Sequence, residues 1–214
     1  MGLEGDVASR CVGIVIFNEV EVLDFCGPFE VFSLARLNEE RRQEEPSPFE
    51  VLLVAEKSGP VVASGGMKVL PDCTFEECPR LDILCVPGGQ GTRREVSNAA
   101  MLDWLRSRAG EVELLTSVCT GAMLLGGAGL LDGRKATTHW ASLEWMRSAL
   151  PHVEVKADLH VVEDGDLVTS AGISAGIDMA LKVVSRCCGE VVGRATAKRM
   201  EYPYPEDNRR RVAI

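Results

Sequence analysis

Short β-branched runs alternate with helix-forming segments along almost the entire chain, and this alternation limits the fold more than any other feature. Residues 11–17, CVGIVIF, form the first run, whose unbroken apolar character suits a strand buried on both faces. Phe49–Ala55 and residues 81–86 and 112–117 repeat the pattern. Between them, Pro28 at a first helical position predicts a helix to about Leu37, with Phe29, Phe32, Leu34 and Leu37 apolar. Ala99–Ala109 is amphipathic, with Leu102, Leu105 and Ala109 along one face. Residues 120–131 and 141–150 read as further helices, the second stopped by Pro151. Gly65-Gly66 between residues 61–64 and 67–70 marks a hairpin. Short strands are expected at 153–156, 159–163 and 167–170, the last two joined by Asp164-Gly165-Asp166, and helices at 176–188 and 190–200. Strand and helix in alternation predict an α/β fold, a mostly parallel sheet with helices on both faces and a small β-hairpin.

The charged, proline-ended stretch 38–48 (NEERRQEEPSP) reads as a solvated connector. No repeat or linker divides the chain, so one domain is expected over 10–201, after a flexible N-terminus at 1–9 and before an irregular tail at 202–214. In that tail Arg209-Arg210-Arg211 reads as solvated, three charges being too few for a nucleic-acid site. At 214 residues and 46% hydrophobic composition, the chain can bury a sizeable core. Its net charge of −9 argues against DNA, RNA or an anionic membrane as partner. No apolar run approaches the ~20 residues of a membrane span, and the start, MGLEGDVASR, carries no signal-peptide pattern. A cytoplasmic protein is expected. The eight cysteines contain no C-x-x-C and accompany three histidines, so we expect reduced thiols and no metal.

Ligand sites in open α/β sheets lie beyond the carboxyl ends of strands. Three such ends carry unusual residues: Asp24, Gly88-Gly89 and Cys119. Ser117-Val-Cys119-Thr-Gly121 has the strand–turn–helix form of a nucleophile elbow, in which a strained central residue requires small neighbours two positions away. Cys119 is then expected to be exposed at a helix N-terminus, where unpaired amides and the helix dipole favour thiolate. The same amides, with those of Gly88 and Gly89, are candidates to hold a developing anion. Asp24 has two readings, an acid facing Cys119 or an N-cap ahead of Pro28. An acid so placed would repel a thiolate, and the two groups would titrate as a coupled pair in which Asp24 holds the proton. His139 is an accessory candidate, either a base near Cys119 or a structural residue before a helix. Cys26 stays open as a redox partner of Cys119, while His152 and His160 receive no role.

Five motifs in order carry a resemblance: VLDFCGP (22–28), VPGG (86–89), SVCTGA (117–122), ATTHW (136–140) and AGISAGID (171–178). They resemble the DJ-1/PfpI superfamily over nearly all of residues 10–201, and most closely its isocyanide (isonitrile) hydratase branch. The amidase-like sensor domain of certain AraC-type regulators is similar too. The resemblance implies a flavodoxin-like sandwich, a homodimer, a small-molecule substrate, no cofactor, and a reactive cysteine at Cys119. It matches Asp24 to the acidic residue across the active site. Thr120 matches the residue after the nucleophile, where the peptidase-like branch carries His. The activity implied is that of a lyase, hydrating isocyanides to N-substituted formamides through a thioimidate on Cys119, with Asp24 as acid. Glyoxalase or amidase chemistry at the same cysteine, or a non-enzymatic ligand or redox sensor, are the alternatives.

Overall fold

The computed structural model describes residues 9–213. The expectation for 1–9 therefore falls, except for Ser9, outside the described residues. A seven-stranded sheet forms the centre. Its strands are β1 (Arg10–Val15), β2 (Phe49–Ala55), β5 (Cys73–Thr74), β6 (Ile83–Val86), β7 (Leu114–Val118), β10 (Val161–Asp164) and β11 (Leu167–Ser170). The spatial order is β10-β11-β7-β6-β1-β2-β5, and every pairing is parallel except β10 with β11. Two strand pairs stand apart: the expected hairpin of β3 (Val61–Val62) with β4 (Lys68–Val69), and β8 (Lys135–Ala136) with β9 (Glu154–Val155).

The chain runs from β1 outward to β2, then crosses back to β6 on the other side of β1. Right-handed crossovers made in opposite directions place their helices on opposite faces. One face carries α1 (Val22–Leu34), α6 (Ala175–Cys188) and α7 (Glu190–Arg199), which pack on one another; the other carries α3 (Ala99–Ala109) and α4 (Gly121–Gly127). The fold is thus α/β, with a mostly parallel sheet and helices on both sides. Ile14, Ile83, Leu84, Leu105, Leu124 and Leu181 are fully buried between the layers. The change of direction between β1 and β6 opens a crevice at the strand ends.

Two boundaries differ from the sequence reading. The first helix begins at Val22 rather than Pro28, so that Pro28 lies inside it and Asp24 in its first turn. An interior proline removes a helix hydrogen bond; here Pro28 also packs beside Gly176, and Gly27 beside Ile177, an α1–α6 contact that only small residues allow. The helix expected at 120–131 stops at Gly127. There Gly129 turns to φ 74° and the Leu130 amide bonds the Leu125 carbonyl, a glycine-type helix end. The solvated reading of the arginine run also fails for two of its members. Arg210 donates to Ala157 O, Thr137 Oγ1 and Thr138 O, and Arg211 to the Asp178 carboxylate.

Among the described residues, no helix is long and apolar enough to cross a membrane.

Candidate active site

β7 ends at Val118 and α4 starts at Gly121, leaving Cys119 and Thr120 to make the turn. Cys119 has φ 57°, the left-handed region that a residue with a Cβ rarely adopts. Its amide donates to Ala171 O at 3.1 Å, and its carbonyl accepts from Thr138 Oγ1 at 2.8 Å. A Cβ at Gly121 would stand 1.9 Å from Val86 O, so glycine is required there, as an elbow demands.

Asp24 is fully buried and is not a helix cap; Glu21 occupies that position. Its Oδ2 accepts the Gly88 amide at 2.9 Å, while Oδ1 is buried with no hydrogen-bond partner. The Cys119 thiol is near enough to this carboxyl for each group to bias the protonation of the other. Burial, followed by the Glu21 charge, raises the Asp24 pKa to about 7 against the pull of the Gly88 amide.

Cys119 departs from expectation in two respects. It is 7% exposed rather than open to solvent, although it lines a cavity of about 220 Å³. Burial, then Asp24, pushes its thiol pKa up, and the amides of Thr120 and Ile173 only partly oppose this. The expected pull of the helix dipole is outweighed, since α4 is only seven residues long and the sulfur sits in a low-dielectric site. Both members of the pair are therefore biased toward holding protons.

The Gly88 and Gly89 amides are already engaged. Gly88 N–H bonds Asp24, and Gly89 N–H bonds Thr120 Oγ1 at 3.0 Å. A charge on sulfur is met instead by the Thr120 and Ile173 amides and by the Thr120 hydroxyl. That hydroxyl is itself held by Thr92 Oγ1 at 3.0 Å. His139 lines the same cavity, with Nδ1 accepting the Ala141 amide at 3.2 Å. That bond leaves the proton on Nε2, making His139 a donor rather than a base. Burial and the Arg210 charge lower its pKa, which keeps the ring neutral. Cys26 and Cys119 are both free thiols. A larger cavity, about 270 Å³ beside Glu56 and Glu95, is lined by no cysteine or histidine.

The sequence model of the DJ-1/PfpI family matches residues 10–186. The chain belongs to the DJ-1/PfpI family. It is 40% identical to an isonitrile hydratase of Pseudomonas putida over 191 residues, 89% of this chain and 78% of that protein. It is also 37% identical to the HTH-type transcriptional regulator CdhR of Pseudomonas aeruginosa, over 61% of this chain but 38% of the regulator. Among solved structures, a ThiJ/PfpI family protein from Pseudomonas syringae superposes with TM-score 0.81 at 28% identity, covering 97% of this chain and 84% of that one.

In this DJ-1/PfpI chain, residue-level reading missed Ile173 and Thr138. Ile173 is β-branched yet has φ 51°, and its amide faces the Cys119 sulfur. Thr138 holds the Cys119 carbonyl. Both fall within motifs that carry the DJ-1/PfpI resemblance, but neither residue type signals such a role. His160, given no role from sequence, is buried, with Nε2 2.8 Å from Asp178 Oδ2.

Proposed function

We propose that the protein is a cysteine-dependent hydratase that converts isocyanides to N-substituted formamides. The observation that carries this reading is a fully buried carboxyl, its pKa raised to about 7, beside the elbow thiol at the wall of a cavity. The 40% identity to an isonitrile hydratase supports the same substrate class.

The terminal carbon of an isocyanide accepts both a nucleophile and a proton. Asp24 takes the thiol proton as Cys119 Sγ bonds to that carbon, then returns it to the same carbon, giving a thioimidate, Cys119-S-CH=N-R. Water adds to this carbon with Asp24 accepting a proton from it and passing that proton to the nitrogen, giving Cys119-S-CH(OH)-NH-R, whose hydroxyl proton goes to sulfur in the next step. Cleavage of the C–S bond regenerates the thiol and releases R-NH-CHO. The sum is isocyanide plus water to formamide. A carboxyl with a pKa near neutrality serves both directions of proton transfer. Thr120 holds the sulfur through its amide and hydroxyl, and His139 Nε2–H is an accessory donor on the cavity wall.

Incubation with an aryl isocyanide should yield the formamide, followed by chromatography, and Cys119→Ala should abolish it. Absence of turnover across several alkyl and aryl isocyanides would overturn the proposal. Lactate formation from methylglyoxal in a parallel assay would direct the same cysteine to glyoxalase chemistry. We take the enzyme to act on its small-molecule substrate as a cytoplasmic homodimer. Exposed Trp140 and Val212 beside Ile173 support such pairing, and the mass from light scattering tests it.

A further inference from the structure

We propose that Arg210 is a positioning residue for Cys119, acting through Thr138, and that the segment 208–211 is a strap that holds the nucleophile in its reactive geometry. The proposal rests on reading Cys119 as the nucleophile, but not on the identity of its substrate.

A left-handed backbone at a non-glycine residue persists only where the surrounding structure over-determines it. At Cys119 the constraint comes from two sides. The amide is held by the end of β11, through Ala171 O and Ser170 O. The carbonyl is held by Thr138 Oγ1, alone among the side chains of the described residues, at 2.8 Å. Thr138 follows β8, a strand of two residues, and so has little sheet to fix it. Arg210 supplies what the short strand lacks. Its Nη2 donates to Thr138 O at 3.0 Å and Thr137 Oγ1 at 2.7 Å, while Nε reaches Ala157 O at 2.5 Å. One planar guanidinium thereby joins three acceptors on two separate stretches of chain, a geometry an ammonium group does not reproduce.

The strap is anchored on both sides of Arg210. Asn208 pairs with both backbone groups of Val161 through its side-chain amide, and its carbonyl accepts the His160 amide. Arg211 bonds the Asp178 carboxylate at 2.9 Å, which also meets His160 Nε2. Asp178 stands in the first turn of α6, directly after the segment whose Ile173 amide faces the sulfur. Residues 208–211 thus secure both pieces that touch Cys119, and they lie beyond the stretch matched by the family, 10–186.

The test is the rate at which iodoacetamide alkylates Cys119, read by peptide mass spectrometry from about pH 5 to about pH 10. The titratable and charged groups facing this region are Asp24, Glu21, Arg93, His139, Asp158, His160, Asp178 and Arg211, and they remain in every variant. Arg210→Ala should slow alkylation about ten-fold and shift the pH midpoint, with native circular dichroism. Arg210→Lys should recover only part of the rate. Thr138→Val, which removes the hydroxyl that bonds the Cys119 carbonyl, should reproduce the Arg210→Ala profile. Arg41→Ala, a remote surface change, should match the parent. A folded Arg210→Ala with the parental rate and midpoint would overturn the proposal. Should Arg210→Ala fail to fold, an unchanged profile in Thr138→Val would overturn it equally. Because alkylation uses no isocyanide, failure of the hydratase reading would leave this result standing, and the reverse also holds.

Discussion

At Cys119 the backbone conformation and the proton inventory are set by different neighbours. The strained φ is held by the hydrogen bonds to the Cys119 amide and carbonyl, and the turn closes because Gly121 lies against the Val86 carbonyl, where no side chain fits. Gly121→Ala should therefore cost more than about 3 kcal/mol of stability, or abolish folding, in urea titration. The proton inventory is set by desolvation. Asp24→Asn keeps the shape and the acceptor for the Gly88 amide but removes the titrating proton. It should lower the hydration rate constant by about 10²-fold or more, with a smaller change in KM, as measured by initial rates. A serine or alanine at 119 leaves the cavity intact, so substrate analogues should still bind there while turnover is lost.

Secondary-structure elements divide into those read correctly from sequence and those shifted by packing. β2 and α3 fall on the residues that the apolar pattern indicates. Asn98 caps α3 by accepting the Ala100 amide at 3.1 Å. Replacing Asn98 with Ala should cost about 1 kcal/mol in chemical denaturation without altering Cys119 alkylation, because α3 lies against the opposite face of the sheet from α6. α1 shows the reverse case. Pro28 is a good local sign of a helix start, yet the helix begins six residues earlier, in a first turn that buries Asp24 and Phe25. That shift moved Asp24 from a loop into a helix, without changing which strand end it serves. β5 and β8 are two residues each, too short for any periodic pattern to reveal.

For the whole molecule, the coupled acid predicts how stability varies with pH. Asp24 is raised from 3.8 to about 7, so between these values the folded protein retains a proton that the unfolded chain has released. The folded state then binds more protons, and its stability falls as pH rises through this window, levelling above about pH 7. Asp24→Asn should lack this slope, so its stability relative to the parent should improve between pH 4 and pH 8 by up to roughly 4 kcal/mol. Denaturation curves at the two pH values check this. The alternation of buried strands with helices specified the sheet, its parallel sense and the edge on which Asp24, Gly88 and Cys119 emerge. That much was legible because period and turn chemistry are local properties. Tertiary structure alone decided that the Gly88 and Gly89 amides would be spent on Asp24 and Thr120, that Ile173 would take a left-handed backbone, and that Arg210 would reach Thr138. Each of these depends on a hydrogen-bond partner far away in the chain, and a donor or acceptor carries no sign of its partner until the fold brings the two within 3 Å of each other.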